Sequence, residues 1–205
     1  KNEGQARDFM FMLKQLAEHQ DHVQPWLHIK TQDGLKVLHP DGKLHDPDGS
    51  FVPNLLVPTL NEDPVVKAEL MATITEWVGG DQEEALSLIR HLATALAPHW
   101  SAGKYILLIG DGRNGKSVLM TMLKDLFGPH NCSGVERQAI SEGSTGAFDL
   151  VGKTLNLVFD GPSEFVKDSG KEKSIITGEP VNIRKLYSNE MSTIQTNALF
   201  VEGLN

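Results

Sequence analysis

Apolar residues recur along this chain with two different periods. Between Asp8 and Gln20, Phe9, Met12, Leu13 and Leu16 fall on one face of a helix. Asp33-Gly34, Asp41-Gly42 and Asp48-Gly49 then signal turns. The pieces between them, Leu35 to Leu38, Lys43 to His45 and Phe51 to Val52, read as short strands of a meander or of hairpins. Asp63-Pro64 is an N-cap with proline at the first helical position. Val66, Leu70, Ile74 and Trp77 make the apolar stripe of the helix that follows, which Gly79-Gly80 closes. Asp81 with Glu84 is an Asp-led capping box. It opens a second helix through Leu88, Ile89, Leu92 and Leu96, ending at Pro98.

Beyond residue 100 the pattern alternates between apolar runs and helical stripes. Tyr105 to Ile109 is unbroken and reads as a buried strand; Ser117 to Phe127 is amphipathic and stops at Gly128-Pro129. Residues 131–147 are polar and rich in Gly and Ser, the composition of a loop. Thr154 to Phe159 is a second strand, ending at Asp160. Ile175 to Tyr187 holds a Gly-Glu-Pro turn followed by alternation suited to a hairpin arm. Ala198 to Val201 is a third core strand, leading to Asn205. Strands alternating with helices predict an α/β fold with a mainly parallel sheet. The expected organisation is a lead-in segment over 1–62, a helical collar over 63–99 and an α/β core over 100–205.

Composition narrows the partners more than the fold. Apolar residues are 40% and charged residues 22%, ordinary values for a globular chain. The net charge of −8 arises almost wholly upstream of residue 100, so no general basic surface draws in nucleic acid. Any polynucleotide contact must come from a local element. Cys132 is the one cysteine, which rules out an intrachain disulfide and a thiolate zinc site and suits a reducing cytoplasm. No signal peptide is visible, and no apolar run approaches the ~20 residues of a membrane span. Asp46 and Asp48 lack the Gly and Glu positions of a calcium loop and read as turn residues. The histidines show no metal-ligand spacing. The chain opens at Lys1 without Met and stops just after an apolar run, which reads as a piece of a longer polypeptide with its core truncated at the C-terminal side.

Residues 110 to 117, Gly-Asp-Gly-Arg-Asn-Gly-Lys-Ser, fit the pattern G-x-x-x-x-G-K-[ST]. The flanks fit too: strand, glycine-rich loop and helix in that order are the context in which this pattern binds a nucleoside triphosphate. Gly110, Gly112 and Gly115 let the backbone approach phosphates closely. Together with Asp111, Arg113, Asn114 and Val118 they form the expected cradle, whose N–H groups and helix dipole attract anionic oxygen. Lys116 is expected to reach the β- and γ-phosphates of ATP, and the Ser117 hydroxyl to hold Mg²⁺.

Such a site also needs a carboxylate near the metal. Asp160, directly at the end of an apolar strand, is the candidate; a turn or capping role is the alternative, since Gly161-Pro162 follows. Glu164 is a candidate base to orient the attacking water, and Asp168 reads as a loop cap. Asn205, beyond Leu199-Phe200-Val201, is a polar residue at a strand tip.

These elements together resemble the superfamily 3 helicases, in the form of the poxvirus- and phage-type primase–helicase ATPase domain. The resemblance rests on the loop GDGRNGKS, the strand ending in Asp160, the block EKSIITGEPVNIRKLYSN from Glu172 to Asn189, and the strand leading to Asn205. It covers about residues 100–205, and more loosely Trp26 to Asn61. It implies a P-loop AAA+-like sheet, a homo-oligomeric and usually hexameric ring, and ATP-driven movement along single-stranded DNA in phage or mobile-element replication. Asp160 falls on the Walker B position and Asn205 on the sensor position. Arg184 and Lys185 fall on the hairpin that lines the central pore, where Tyr187 adds a stacking surface. Two departures stand out. Only one acid is clear at the Walker B position, and none of Arg113, Arg137 and Arg184, the arginines after residue 100, has the placement of an arginine finger. A primase domain or partner belongs upstream in such proteins, but residues 1–100 show no acidic catalytic cluster. The alternatives are a P-loop kinase of a small substrate and a nucleotide-dependent ring or loading factor that does not unwind. Read without the resemblance, Arg184-Lys185 is a solvated hairpin edge.

Overall fold

The computed structural model describes residues 27–31, 34–38, 43–46, 56–57, 64–96, 103–141, 145–162, 170–184 and 191–204. The helix expected over Asp8–Gln20, the strand Phe51–Val52 and the turns at Asp41-Gly42 and Asp48-Gly49 lie outside them. A small sheet comes first, with β1 (Leu27–Thr31), β2 (Gly34–Leu38), β3 (Leu44–His45) and β4 (Leu56–Val57) in the order β3-β2-β1-β4. The first three strands form an antiparallel meander, and β4 adds to β1 in parallel. Asp46, weighed for calcium, instead binds Lys36 Nζ at 2.5 Å.

Two helices follow, α1 (Pro64–Trp77) and α2 (Gln82–Ala93). Asp81 caps α2, its carboxylate accepting from Glu83 N at 2.8 Å and Glu84 N at 3.1 Å. The chain leaves α2 through a 3-10 turn at Thr94–Leu96, so the α-helix is shorter than its apolar stripe. The stripe on α1 is buried only at its C-terminal end. Ile74 is buried, but Val66 is 47% and Leu70 40% exposed. Leu70 and Ile74 instead line an open apolar groove of about 540 Å³ shared with Ile89, Leu92, Met122 and Leu126.

The core is one four-stranded sheet, all parallel, built from β5 (Tyr105–Ile109), β6 (Cys132–Ser133), β7 (Leu155–Val158) and β10 (Leu199–Leu204) in the order β5-β10-β7-β6. Helix α3 (Lys116–Phe127) covers one face. There Leu119, Met120, Leu123 and Phe127 pack on Leu155, Leu157, Leu199 and Val201, with Leu92 and Ala95 from the collar. The other face is covered by α4 (Arg137–Ser141), a 3-10 stretch at Thr145–Leu150, α5 (Gly170–Ile176) and an antiparallel hairpin of β8 (Val181–Arg184) and β9 (Met191–Ile194). Ile140, Leu150, Ile175, Ile183, Ile194 and Phe200 make that second core. The α/β class with a mainly parallel sheet is therefore as expected.

One stretch departs from expectation. Residues 131–147, read as a loop, contain β6, α4 and part of the 3-10 stretch. The buried Asn156 side chain explains their order. Its amide donates to Val135 O at 2.8 Å and its Oδ1 accepts from Val135 N at 2.7 Å and Ser133 Oγ at 2.9 Å. A side chain on β7 thus supplies the backbone partners that β6 runs out of. No helix among the described residues is long and apolar enough to cross a membrane.

Candidate functional site

The β5–α3 loop stands at the carboxyl edge of the parallel sheet, where open α/β sheets place their ligands. Gly110 N donates to Leu204 O at 3.4 Å, which ties the start of the loop to β10. The backbone then turns left-handed twice, at Arg113 (φ 69°) and at Gly115 (φ 84°). Helix α3 starts at Lys116 with no side-chain cap. Its first N–H groups therefore have no intrahelical partner. The Lys116 ammonium folds back across the loop and donates to Gly110 O. Asp111, Gly112, Arg113, Asn114, Ser117 and Val118 are all exposed.

Beside the loop lies a cavity of about 400 Å³, lined by Trp77 and Val78 of the collar, Leu107 to Ile109 of β5, and Asn114, Gly115 and Lys116. Glu84 is its acidic residue. Ile109, at the end of β5, is 73% exposed.

Strand β7 ends at Val158, one residue short of the expected Phe159, so Asp160 is the second residue beyond it; it is exposed. Strands β5 and β7 are parallel and separated only by β10. The loop that leads into Lys116 and Ser117 and the turn holding Asp160 therefore leave the sheet at the same edge. Gly161 N donates to Gly203 O at 2.8 Å and fixes the turn to β10. Arg184 ends β8 opposite Met191, on the exposed face of the hairpin; Val181 and Ile183 face the core. Glu164, Lys185, Tyr187 and Asn205 lie outside the described residues. Among the described residues no group of three or more His, Cys, Asp and Glu side chains is placed to hold a metal ion.

Sequence reasoning missed a polar cluster behind the Asp160 turn. Glu202, in the middle of β10, has no exposed surface. Its Oε2 accepts from the Tyr105 hydroxyl and lies 2.9 Å from Arg137 Nε. The Arg137 guanidinium also sits 5.7 Å from the centre of the Tyr105 ring, a cation–π distance. Glu172 on α5 is buried as well. Burial pushes both carboxyls above their ordinary value; at Glu172 the charges of Arg137 and Lys173 oppose this. The available signal was a charged residue inside an otherwise apolar strand, Leu199-Phe200-Val201-Glu202.

The profile of a family of unknown function, DUF5906, matches residues 108–205, from the end of β5 onward. No curated protein matches. Among solved structures, the apo structure of the NrS-1 C-terminal region is 19% identical, with a TM-score of 0.54 over 83% of this chain and 40% of that one. An A-form apo structure of the same region is 20% identical, with a TM-score of 0.52 over 83% of this chain and 39% of that one. The likeness is one of fold, and the chain spans about two fifths of the structures it resembles.

Proposed function

We propose that this chain carries the ATP-hydrolysing core of a DNA translocase of the superfamily 3 helicase type, acting on single-stranded DNA in phage or mobile-element replication as a ring of identical subunits. The observation that supports it best is the shared sheet edge: the Gly110–Ser117 loop and the Asp160 turn flank the tip of β10. That is the layout a P-loop ATPase of AAA+ type needs.

The loop suits a triphosphate. Left-handed backbone at Arg113 and Gly115 is the geometry from which nests of N–H groups are made. The start of a 12-residue helix adds its positive dipole end. The Lys116 ammonium donates to Gly110 O, a carbonyl whose place a phosphate oxygen can take. The adjoining cavity offers an aromatic and aliphatic wall for the base.

A bound Mg²⁺ would neutralise charge developing on the β- and γ-phosphates, held by the Ser117 hydroxyl and, through its water shell, by Asp160. Few protein ligands are required, because this ion keeps waters and takes phosphate oxygens. Lys116 binds the transferred phosphoryl group throughout. Glu164 is the proposed base for the attacking water, and Asn205 the residue that meets the γ-phosphate side. Arg184, Lys185 and Tyr187 hold the DNA strand, six copies converging on one backbone so that few cations per subunit suffice.

The test is phosphate release from ATP with and without a single-stranded oligonucleotide. The parent hydrolyses ATP and is stimulated by the strand. Lys116→Ala loses about 100-fold or more of the turnover while keeping its fold. Turnover indifferent to DNA in a folded, active parent would sink the translocase reading; phosphoryl transfer to a small acceptor would instead identify a kinase.

A further inference from the structure

Strand β10 carries a carboxylate where an apolar side chain would fit at less cost. Glu202 stands in register between Leu107 of β5 and Val158 of β7, with no exposed surface. Removing an ion pair of this kind in favour of well-packed apolar groups is often neutral or stabilising, so packing energy does not account for it. Only one of its oxygens is engaged. Oε2 accepts from the Tyr105 hydroxyl and forms an ion pair with Arg137 Nε, whereas Oε1 is buried without a hydrogen-bond partner among the described residues.

That second oxygen abuts Gly161, the residue after Asp160. A Cβ on Gly161 would run into the Glu202 carboxylate, so the acid from β10 fills the space where a side chain following Asp160 would stand. Arg137 holds the same turn, with Nη2 placed 3.5 Å from Pro162 O. The turn is also bound to Gly203, the neighbour of Glu202, through Gly161 N. Among the described residues, these three contacts to residues 161 and 162 trace to Glu202, to its ion-pair partner or to its own strand.

We propose that Glu202 is a positioning residue for Asp160: paired with Arg137, it braces the Asp160–Pro162 turn from behind and sets where the Asp160 carboxylate meets a nucleotide-bound divalent cation. This rests on the nucleotide reading given above and assigns a residue to it. Residues that support a metal-facing carboxylate from behind typically change metal affinity by about 10- to 100-fold. A brace with no functional role would change stability alone.

The experiment uses Mn²⁺ as a paramagnetic stand-in, titrated by electron paramagnetic resonance in the presence of a non-hydrolysable ATP analogue. Nucleotide affinity without metal is measured alongside. Glu202→Gln keeps the shape and removes the charge. It is expected to bind Mn²⁺ about tenfold more weakly, to keep metal-free nucleotide affinity within about twofold of the parent, and to lose kcat with little change in KM. Tyr105→Phe removes only one hydrogen bond from the same carboxylate; should Glu202→Gln fail to fold, a smaller loss of Mn²⁺ affinity in Tyr105→Phe carries the same conclusion. A folded variant that binds Mn²⁺ as the parent does, with turnover tracking only its folded fraction, overturns the inference. A parent that binds no nucleotide at all removes the underlying reading, and this inference with it.

Discussion

The indole of Trp77 packs so closely on Gly115 that a Cβ on residue 115 would lie within 2.5 Å of the ring. The last turn of the collar helix α1 is thereby wedged against the loop residue that precedes Lys116. Residue 115 is constrained twice, since its φ of 84° is also left-handed. Gly115→Ala must adopt a conformation costing an L-residue about 1–2 kcal/mol and must displace the indole as well. We expect a loss of about 2–4 kcal/mol in urea denaturation, with Trp77 fluorescence shifted in the folded state. An unchanged midpoint and an unchanged spectrum would show that the loop and the collar are not wedged together.

Asn156 holds β6 and the segment after it. Removing its amide leaves Val135 N, a buried backbone donor, without its partner. Each such orphaned group costs about 1–3 kcal/mol, so Asn156→Ala is expected to lose about 2–4 kcal/mol and to increase hydrogen exchange selectively over residues 132–141. Exchange that rises evenly over the whole core would contradict the clamp.

The buried Glu172 makes stability depend on pH in a direction opposite to the usual acid. Its carboxyl is held above the ordinary value of 4.5, so the folded state takes up the proton before the unfolded state does. Its contribution is therefore fully present below about pH 4.5 and is lost as pH rises through the folded value. Glu172→Gln mimics the protonated form and should be more stable than the parent at neutral pH, the difference shrinking as pH is lowered toward 4.5. A difference independent of pH would assign Glu172 no titration in this range.

Arg184→Ala combined with Lys185→Ala tests the hairpin. Arg184 projects from the outward row of β8, away from the core side chains Val181 and Ile183. The double variant should fold normally, bind ATP as the parent does and lose its response to single-stranded DNA. Filter-binding and phosphate-release assays separate these quantities. Equal stimulation in variant and parent would exclude a DNA role for this face.

Elements with a local signature were legible in the sequence. The unbroken run before Gly110 and the stripe of Leu119, Leu123 and Phe127 give β5 and α3 directly, and the Gly-Glu-Pro turn marks the entry to β8. What depends on distant partners was not. Strand β6 is two residues long and exists by pairing with β7, while the Asn156 side chain holds the backbone just beyond it at Val135. Helices α4 and α5 each present few apolar residues, among them Ile140 and Ile175, too few to show a period. The stripe on α1 misled in the other direction, since Val66 and Leu70 have the spacing of a buried face but stay largely exposed. In the candidate site, the loop and Asp160 could be read from spacing. The meeting of Tyr105, Arg137, Gly161 and Glu202 could not, because four separate segments converge there only once the strand order is set.

That strand order has a consequence for how the chain acquires its shape. Among the described residues, the last strand of the sheet, β10, lies between β5 and β7, so Tyr105 must wait for Phe200 before it gains a neighbour in register. During synthesis β5 has no described sheet neighbour until β10 arrives and β7 has only β6 beside it, so an edge of each stays open to other chains. Long-range parallel pairing is slow and exposed to aggregation; assembly of this sheet should therefore be late, abrupt and sensitive to whatever shields the nascent polypeptide.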